Sequence, residues 1–229
     1  MKLIVFDIDG TLSNTKPVDD LCFIKAFKSV FNIDLAEVDW TSLQNVTDWG
    51  ITEEIIEQSW NRRPSTEEFE KMKKQFINNL EEERISNPNS FNEVPGANAF
   101  FNHLKNHPNY TVGLATGAWK ASALIKLSAI GINTTGIPFS NSDFHKTRTA
   151  ICLHTIEQAK VKYGKPFEEI IYLGDGEWDY HTCKKLNIRF IGIEVDGNGI
   201  LKKLGAEAVF ENYLNLGEII NIIESPLQK

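Results

Sequence analysis

Short apolar runs alternate along most of the chain with longer segments that have the spacing of helices. Four runs rich in apolar and β-branched residues have the length and composition of buried strands: Lys2–Phe6, Tyr110–Ala115, Glu169–Leu173 and Arg189–Ile193. Trp119–Ala129 and Thr147–Tyr163 lie between these runs and have helical periodicity. Strands and helices that alternate in this way predict crossover connections and a parallel sheet.

Weaker patterns extend this alternation toward both edges of the sheet. Ile137–Ser140 and Ala208–Phe210 are predicted to be short strands, and a closing helix is predicted near Leu214–Ile223. Val94-Pro95-Gly96 marks the point where the alternation resumes after a long interruption.

The interruption, from about residue 15 to residue 91, contains no convincing strand. Its periodic segments predict helices over Asp19–Phe31, Thr52–Trp60 and Glu67–Arg84. Thr52-Glu53-Glu54 and Ser65-Thr66-Glu67-Glu68 have the hydroxyl caps and early acids that are typical of helix starts. We therefore predict an α/β fold: a doubly wound, Rossmann-like core over residues 1–14 and 92–229, with an inserted α-helical cap domain over residues 15–91.

Composition narrows the class of partner. The 229 residues are 41% hydrophobic and 24% charged, as in ordinary globular proteins, and the net charge is −7. A nucleic acid or an anionic membrane would be repelled, so we expect neither as a partner. Cys22, Cys152 and Cys183 are odd in number and widely spaced, which disfavours a disulfide framework or zinc site. With no pattern of a signal peptide or membrane span, the sequence predicts a cytoplasmic protein.

Two pairs of acids follow predicted strands. Asp7 and Asp9 come directly after the first strand, and Asp175 and Asp179 follow Leu173-Gly174. Because the carboxyl ends of parallel strands line the ligand crevice of such folds, the four carboxylates are expected to gather there. A crowded acidic cluster requires either raised pKa values or a bound cation, and oxygen ligands favour Mg²⁺.

Two further features suit an anionic ligand. Thr116 and Gly117 end the strand Tyr110–Ala115, where a hydroxyl and free backbone N–H groups can hold a phosphoryl oxygen. Lys146 and Arg148 lie at the start of a predicted helix, where a cation opposes the helix dipole unless it faces an anion. Facing an anion in the crevice, Arg148 could both bind phosphate and neutralise Asp7.

Taken in order, these four features resemble the haloacid dehalogenase-like hydrolase superfamily, in the phosphoglycolate phosphatase-like branch with a helical cap. The resemblance implies a phosphoric monoester hydrolase in which Asp7 is the nucleophile and forms an aspartyl-phosphate. It implies that Asp9 is general acid and then base, and that Thr116, Gly117 and Arg148 or Lys146 bind the phosphoryl group. Mg²⁺ would be held by Asp7, the Asp9 backbone carbonyl and Asp175, with Asp179 supporting through water.

Two details refine the resemblance. The acid at Asp9 is missing from the dehalogenase branch, so dehalogenation is disfavoured. Many relatives carry Lys-Pro before the last motif, whereas this chain has His145-Lys146-Thr147-Arg148 without proline. The distance from Arg148 to the following helix resembles that in relatives using Arg, which favours Arg148 over Lys146.

Other interpretations stay open at this point. The acids could be solvated turn or helix-cap residues, and the basic pair could lie on a solvated face. Trp40, Trp49 and Trp60 could shape a substrate pocket or pack the cap. A phosphomutase that uses the same aspartyl-phosphate and a non-catalytic phosphate-ligand-binding protein are the alternatives to a phosphatase. The substrate is expected to be a small phosphorylated metabolite, and the protein to be a monomer or weak dimer.

Overall fold

A parallel sheet of six strands forms the centre of the structure, a computed structural model that describes residues 1–38 and 40–226. Within these ranges the strands are β1 (Lys2–Phe6), β2 (Tyr110–Ala115), β3 (Phe139–Ser140), β4 (Ile170–Gly174), β5 (Arg189–Ile193) and β6 (Ala208–Phe210). Their spatial order is β3-β2-β1-β4-β5-β6, and every neighbouring pair is parallel. The chain therefore extends the sheet in both directions from β1, which places a topological switch point at the sheet's centre.

Helices connect the strands. In chain order they are α1 (Lys16–Phe31), α2 (Asp48–Trp60), α3 (Thr66–Ser86), α4 (Ala97–Asn106), α5 (Lys120–Ala129), α6 (Arg148–Tyr163), α7 (Glu177–Leu186), α8 (Ile200–Leu204) and α9 (Leu216–Glu224). The α/β parallel-sheet fold predicted from the sequence is confirmed. No helix in the described part of the chain is long and apolar enough to span a membrane.

Strand β1 is apolar throughout because both of its faces are covered. Ile4 and Phe6 pack in one core cluster with side chains of α4 and α9, and Leu3 and Val5 pack in another with side chains of α6 and α7. All four are fully buried. A strand buried on both faces needs a continuous apolar run, which is the pattern that identified β1 in the sequence.

The helical unit, defined here as residues 15–91, carries α1, α2 and α3 and has a core of its own. Phe23 and Phe27 of α1 and Phe76 of α3 belong to this cluster, which is completed by Trp119 from the loop before α5. Phe23 meets Phe76 edge to face with ring centroids 5.5 Å apart. The aromatic side chains thus hold α1 and α3 together and attach them to the α/β core.

The start of α2 differs from the sequence prediction. The helix begins at Asp48, not at Thr52, because the side chain of Thr47 accepts a hydrogen bond from Gly50 N and so caps it. Thr52 is buried inside the helix and donates to the Asp48 carbonyl. In contrast, Ser65 and Glu68 form the capping box expected at the start of α3.

Smaller differences concern element ends. Strand β3 is limited to Phe139–Ser140, shorter than the predicted Ile137–Ser140. Helix α1 begins at Lys16, three residues before the predicted start, because Pro17 fits the first helical turn, where no backbone N–H is needed.

Candidate active site

The central strands bring three sequence motifs to one edge of the sheet. β1 pairs with β2 on one side and with β4 on the other, and their carboxyl ends lie side by side. Asp7 follows β1, Thr116 follows β2 and Asp175 follows β4. The crevice at a switch point of this kind is where open α/β sheets bind ligands.

Asp7 is buried at the base of this crevice. Its backbone N–H donates to the Leu173 carbonyl at 2.9 Å, which fixes the residue to β4. Its Oδ2 lies 3.2 Å from Arg148 Nη1. Its Oδ1 is buried and has no hydrogen-bond partner among the described residues. One oxygen of this carboxylate is therefore neutralised by a cation, and the other is buried without a hydrogen-bond partner in the described part of the chain.

Asp175 and Asp179 complete an acidic group with Asp7. One oxygen from each of the three carboxylates lies within 4.8 Å of the others. Burial raises the pKa of Asp175 to about 6 against the opposing charge of Lys16, with which it forms an ion pair. Burial, followed by the charge of Asp7, raises the pKa of Asp179 well above its ordinary range. These pKa shifts show that the group lacks enough countercharge of its own.

The acidic group fits a magnesium ion. It offers only carboxylate oxygens, which Mg²⁺ prefers, and the buried Asp7 Oδ1 is available as a ligand. Gly10, with φ of +78°, leaves room for this arrangement: a Cβ there would lie 2.0 Å from Asp175 Oδ2. Gly174 has the same effect beside Asp179, since its Cβ would lie 2.5 Å from Asp179 Oδ2.

Asp9 departs from the expected gathering of four carboxylates. Its side chain is not one of the three in the acidic group. Oδ1 accepts a hydrogen bond from Thr15 Oγ1 at 2.7 Å, and Oδ2 accepts one from Lys126 Nζ at 2.6 Å. The residue lines the same crevice, but its carboxylate is turned toward the base of the helical unit.

Arg148 is the cation that the structure brings to Asp7. It is the first residue of α6, its Nε donates to the Val46 carbonyl at 2.8 Å, and Nη1 also lies 3.5 Å from Asp179. Burial alone would lower the pKa of the guanidinium, but the charges of Asp7 and Asp179 raise it. Nη1 is buried and makes no hydrogen bond with the residues that the structure describes, so it can still donate to a ligand.

The loop after β2 contributes two residues to the crevice. Gly117 lies against the Arg148 guanidinium, and Thr116 lies next to it in the chain. A Cβ on Gly117 would lie 2.7 Å from the Cζ, Nε and Nη2 atoms of Arg148, so only glycine allows the guanidinium to pack there without displacement. Thr116 is buried, and its Oγ1 accepts from Ala118 N at 3.2 Å. Both residues line the crevice.

Lys146 is placed away from Asp7. Its Nζ forms an ion pair with Glu53 of α2, and it lines a separate surface cavity. Of the two cations considered in the sequence, Arg148 therefore lies beside Asp7, whereas Lys146 pairs with the helical unit.

Two residues that belong to no sequence motif lie in or directly behind the crevice: Asp48 lines it, and Lys126 contacts its lining residues Asp9 and Asp19. Lys126 of α5 is fully buried and bonds both Asp9 and Asp19 of α1; burial alone would lower its pKa, but these carboxylates raise it. Asp48, at the start of α2, accepts from Trp119 N at 2.8 Å, and burial raises its pKa to about 7 against the charge of Lys126. The sequence did contain a signal for Lys126, because this charged residue lies on the buried face of an amphipathic helix.

Trp178, between two acids of the last motif, is a further residue of the crevice. It lines the crevice, and its ring lies 5.3 Å from Lys16 Nζ and 5.5 Å from Arg148 Cζ. The indole thus contacts both cations that pair with the acidic group.

The crevice has a volume of about 250 Å³, and its walls come from both parts of the chain. The α/β core supplies Asp7, Thr116 and Arg148, and the helical unit supplies side chains of α1 and α2. A neighbouring cavity of about 380 Å³ shares Asp19 and Asp48 with it and is lined mainly by the helical unit. Trp40 lines this second cavity.

Comparison with known proteins identifies the family. The sequence model of the haloacid dehalogenase-like hydrolases matches residues 4–193, most of the chain. No curated protein matches. A hydrolase structure from Pseudomonas syringae is similar at 21% identity and a TM-score of 0.75, covering 98% of this chain and 100% of the other.

Two more structures share the fold. A predicted phosphoglycolate phosphatase from Haemophilus somnus is 18% identical with a TM-score of 0.66, covering 96% of this chain and 98% of its own. A candidate β-phosphoglucomutase from Bacteroides vulgatus is 15% identical with a TM-score of 0.70, covering 100% of this chain and 91% of its own. The chain belongs to the haloacid dehalogenase-like hydrolases, which confirms the family predicted from the sequence motifs.

Proposed function

We propose that this protein is a Mg²⁺-dependent phosphatase that hydrolyses a small phosphate monoester through an aspartyl-phosphate on Asp7. One observation carries the proposal. Asp7 Oδ1 and Arg148 Nη1 are both buried in the crevice without hydrogen-bond partners in the part of the chain that is described, although Asp7 Oδ2 and Nη1 are only 3.2 Å apart. A nucleophile and a phosphoryl-binding donor are thus held together.

The first step transfers the phosphoryl group to the protein. An oxygen of Asp7 attacks phosphorus, the bond between phosphorus and the ester oxygen breaks, and Asp9 gives its proton to the departing alkoxide. Arg148 and the hydroxyl of Thr116 bind the phosphoryl oxygens. Arg148 is held by the Val46 carbonyl and by the close packing that Gly117 permits, so its donors are oriented before the substrate arrives.

The second step releases phosphate. Asp9, now a carboxylate, takes a proton from water; the water oxygen attacks phosphorus, and the bond from phosphorus to Asp7 breaks, which restores the Asp7 carboxylate. Asp9 is suited to both tasks because it lines the same crevice as Asp7 but keeps its carboxylate outside the acidic group.

Mg²⁺ would be held by Asp7, Asp175 and the Asp9 backbone carbonyl, with Asp179 as a supporting ligand through water. When bound it supplies positive charge to the phosphoryl oxygens and to the crowded carboxylates. The proposal is supported by the donor set, which consists of oxygens, and by the raised pKa values of Asp175 and Asp179.

The helical unit would act as a cap that closes over the substrate. Side chains of α1 and α2 line the crevice, and the adjoining cavity, which shares Asp19 and Asp48 with it, gives space for the leaving group of a small metabolite. Substrate choice would therefore depend on the helical unit, while phosphoryl transfer depends on the α/β core.

The experiment is Mg²⁺-dependent phosphate release from a panel of small phosphate esters. Asp7→Asn keeps the shape of the side chain and is expected to abolish release, and Asp196→Asn, at an exposed turn, is the matched control and should retain it. Release that persists in Asp7→Asn would refute the proposed nucleophile. Phosphoryl transfer to a sugar monophosphate, dependent on a sugar bisphosphate and without free phosphate, would indicate a phosphomutase instead.

A further inference from the structure

We propose that Lys126, held by Asp19, is a positioning residue that fixes one oxygen of Asp9 and so connects the general acid of the reaction to the helical unit. The inference rests on the proposed function, in which Asp9 protonates the leaving group. It adds a residue that has no place in the motifs that identify the family in this sequence.

Lys126 is a buried cation with two anionic partners. Its side chain is fully buried, and Nζ lies 2.6 Å from Asp9 Oδ2 and 2.5 Å from Asp19 Oδ1. A buried ammonium without partners would be strongly unfavourable, so these two bonds determine where Nζ lies. Apolar packing around Leu127 and Ala123 fixes the helix that carries it.

The two partners belong to different parts of the fold. Asp9 follows β1 in the α/β core, whereas Asp19 lies in the first turn of α1 in the helical unit. Lys126 itself is on α5 of the core. The ammonium therefore bridges the catalytic loop and the helix that forms one wall of the crevice, so a displacement of α1 would disturb the bond to Asp9.

Donor and acceptor chemistry gives the two oxygens of Asp9 different roles. An ammonium can only donate, so the oxygen that faces Lys126 must accept. The other oxygen faces Thr15 Oγ1 at 2.7 Å, and this hydroxyl lies 2.7 Å from Ser13 Oγ, which in turn reaches the Ile8 carbonyl. Hydroxyls can reverse direction, so this chain accommodates Asp9 with or without a proton on Oδ1.

Because Oδ2 faces an ammonium, Oδ1 is the oxygen of Asp9 that can carry the proton for the leaving group, and Lys126 fixes the side chain that holds it. Without the ammonium, the carboxylate of Asp9 would keep, within residues 1–38 and 40–226, only its reversible bond to Thr15 and could rotate. The nucleophile Asp7 would be untouched, because its partners are Arg148 and the β4 backbone.

Because the loss of Lys126 should affect Asp9 and leave Asp7 unchanged, the proposal can be tested with esters that differ in their need for a general acid. An alkyl phosphate needs a proton on its departing oxygen. The leaving group of p-nitrophenyl phosphate is stable as an anion, so this ester needs little general acid catalysis. In Lys126→Met, kcat/KM is expected to fall about 100-fold for the alkyl ester, within the usual contribution of general acid catalysis, and less than about tenfold for p-nitrophenyl phosphate. The constant kcat/KM excludes the later dephosphorylation step, which is the same for both esters.

Controls separate positioning from a general loss of structure. Lys120→Met removes an exposed lysine from the same helix and should leave both constants unchanged. Asp9→Asn should show the same dependence on the ester as Lys126→Met, and adding Lys126→Met to Asp9→Asn should cause no further loss with the alkyl ester. A merely structural Lys126 would lower both constants by the same factor, and that result would overturn the inference.

A second variant keeps the test decisive if Lys126→Met does not fold. Asp19→Asn retains the side-chain shape but removes the charge that holds Lys126, and the ratio of the alkyl to the aryl constant is expected to fall below the wild-type ratio. An unchanged ratio in folded Asp19→Asn would overturn the inference. If the wild-type protein releases no phosphate, or Asp7→Asn retains activity, the proposed function itself fails, which is a different result.

Discussion

Gly117→Ala adds a single methyl group to the wall of the candidate active site. The new Cβ would lie 2.7 Å from Arg148 Cζ, Nε and Nη2, whereas non-bonded heavy atoms are at their best separation near ~3.5 Å. The guanidinium must therefore move by about 0.8 Å. Gly117 is not among the glycines with positive φ, so alanine introduces no backbone strain of its own.

The movement is large on the scale of catalysis. Arg148 Nη1 is 3.2 Å from Asp7 Oδ2, and displacement of the guanidinium would alter both this ion pair and the donors for the phosphoryl group. A misplacement of about 1 Å reduces rates by about 100-fold, which corresponds to about 2.7 kcal/mol in the activation free energy. We expect a fall of this size in kcat/KM with little change in the melting temperature.

The assay is steady-state phosphate release by Gly117→Ala, with circular dichroism to confirm the fold. Gly217→Ala, in α9, is the matched control, because no atom lies within 4 Å of the position where its Cβ would be. That variant should keep wild-type kcat/KM. If Gly117→Ala also kept it, the reasoning that places Arg148 against the phosphoryl group would be refuted.

Three other perturbations test the site and its surroundings. In Gly10→Ala, φ of +78° and a Cβ 2.0 Å from Asp175 Oδ2 should destabilise the fold by at least the roughly 1–2 kcal/mol of a left-handed backbone, and an unchanged thermal midpoint would contradict this. Asp179→Asn should weaken Mg²⁺ binding by about 10–100-fold in calorimetry without substrate, and equal affinity would exclude its supporting role. Burial raises the pKa of Asp48 to about 7 in the fold, so the unfolded chain releases this proton at lower pH and stability falls as pH rises from about 4 to 7. Asp48→Asn should therefore gain stability relative to wild type over that range in thermal unfolding, and a pH-independent difference would argue against it.

Motifs at strand ends were the most informative part of the sequence. Asp7, Thr116 and Asp175 could be placed together from the sequence alone because a parallel sheet brings the ends of β1, β2 and β4 to one edge. The same rule does not fix side-chain direction. Asp9 was therefore expected in the acidic cluster, although hydrogen bonds from Thr15 and Lys126 turn its carboxylate away.

Contacts between segments that are distant in the chain could not be predicted from the sequence. The spacing to the following helix favoured Arg148 over Lys146, but the sequence did not show that Glu53 of the helical unit pairs with Lys146 or that Gly117 leaves space for Arg148. The start of α2 was misplaced for a similar reason. Thr47 and Thr52 both resemble caps, and the pairing of Asp48 N with the Gly117 carbonyl, a tertiary contact, accompanies the earlier start.

The most direct test of the central claim is to trap the intermediate. The protein would be mixed with a substrate ester and Mg²⁺, quenched in acid within the first turnover, and reduced with borohydride, which converts an acyl phosphate to an alcohol. We expect mass spectrometry of the N-terminal peptide to find Asp7 reduced to homoserine and Asp9 unmodified. Phosphate release by active protein with no reduced Asp7 would contradict the account.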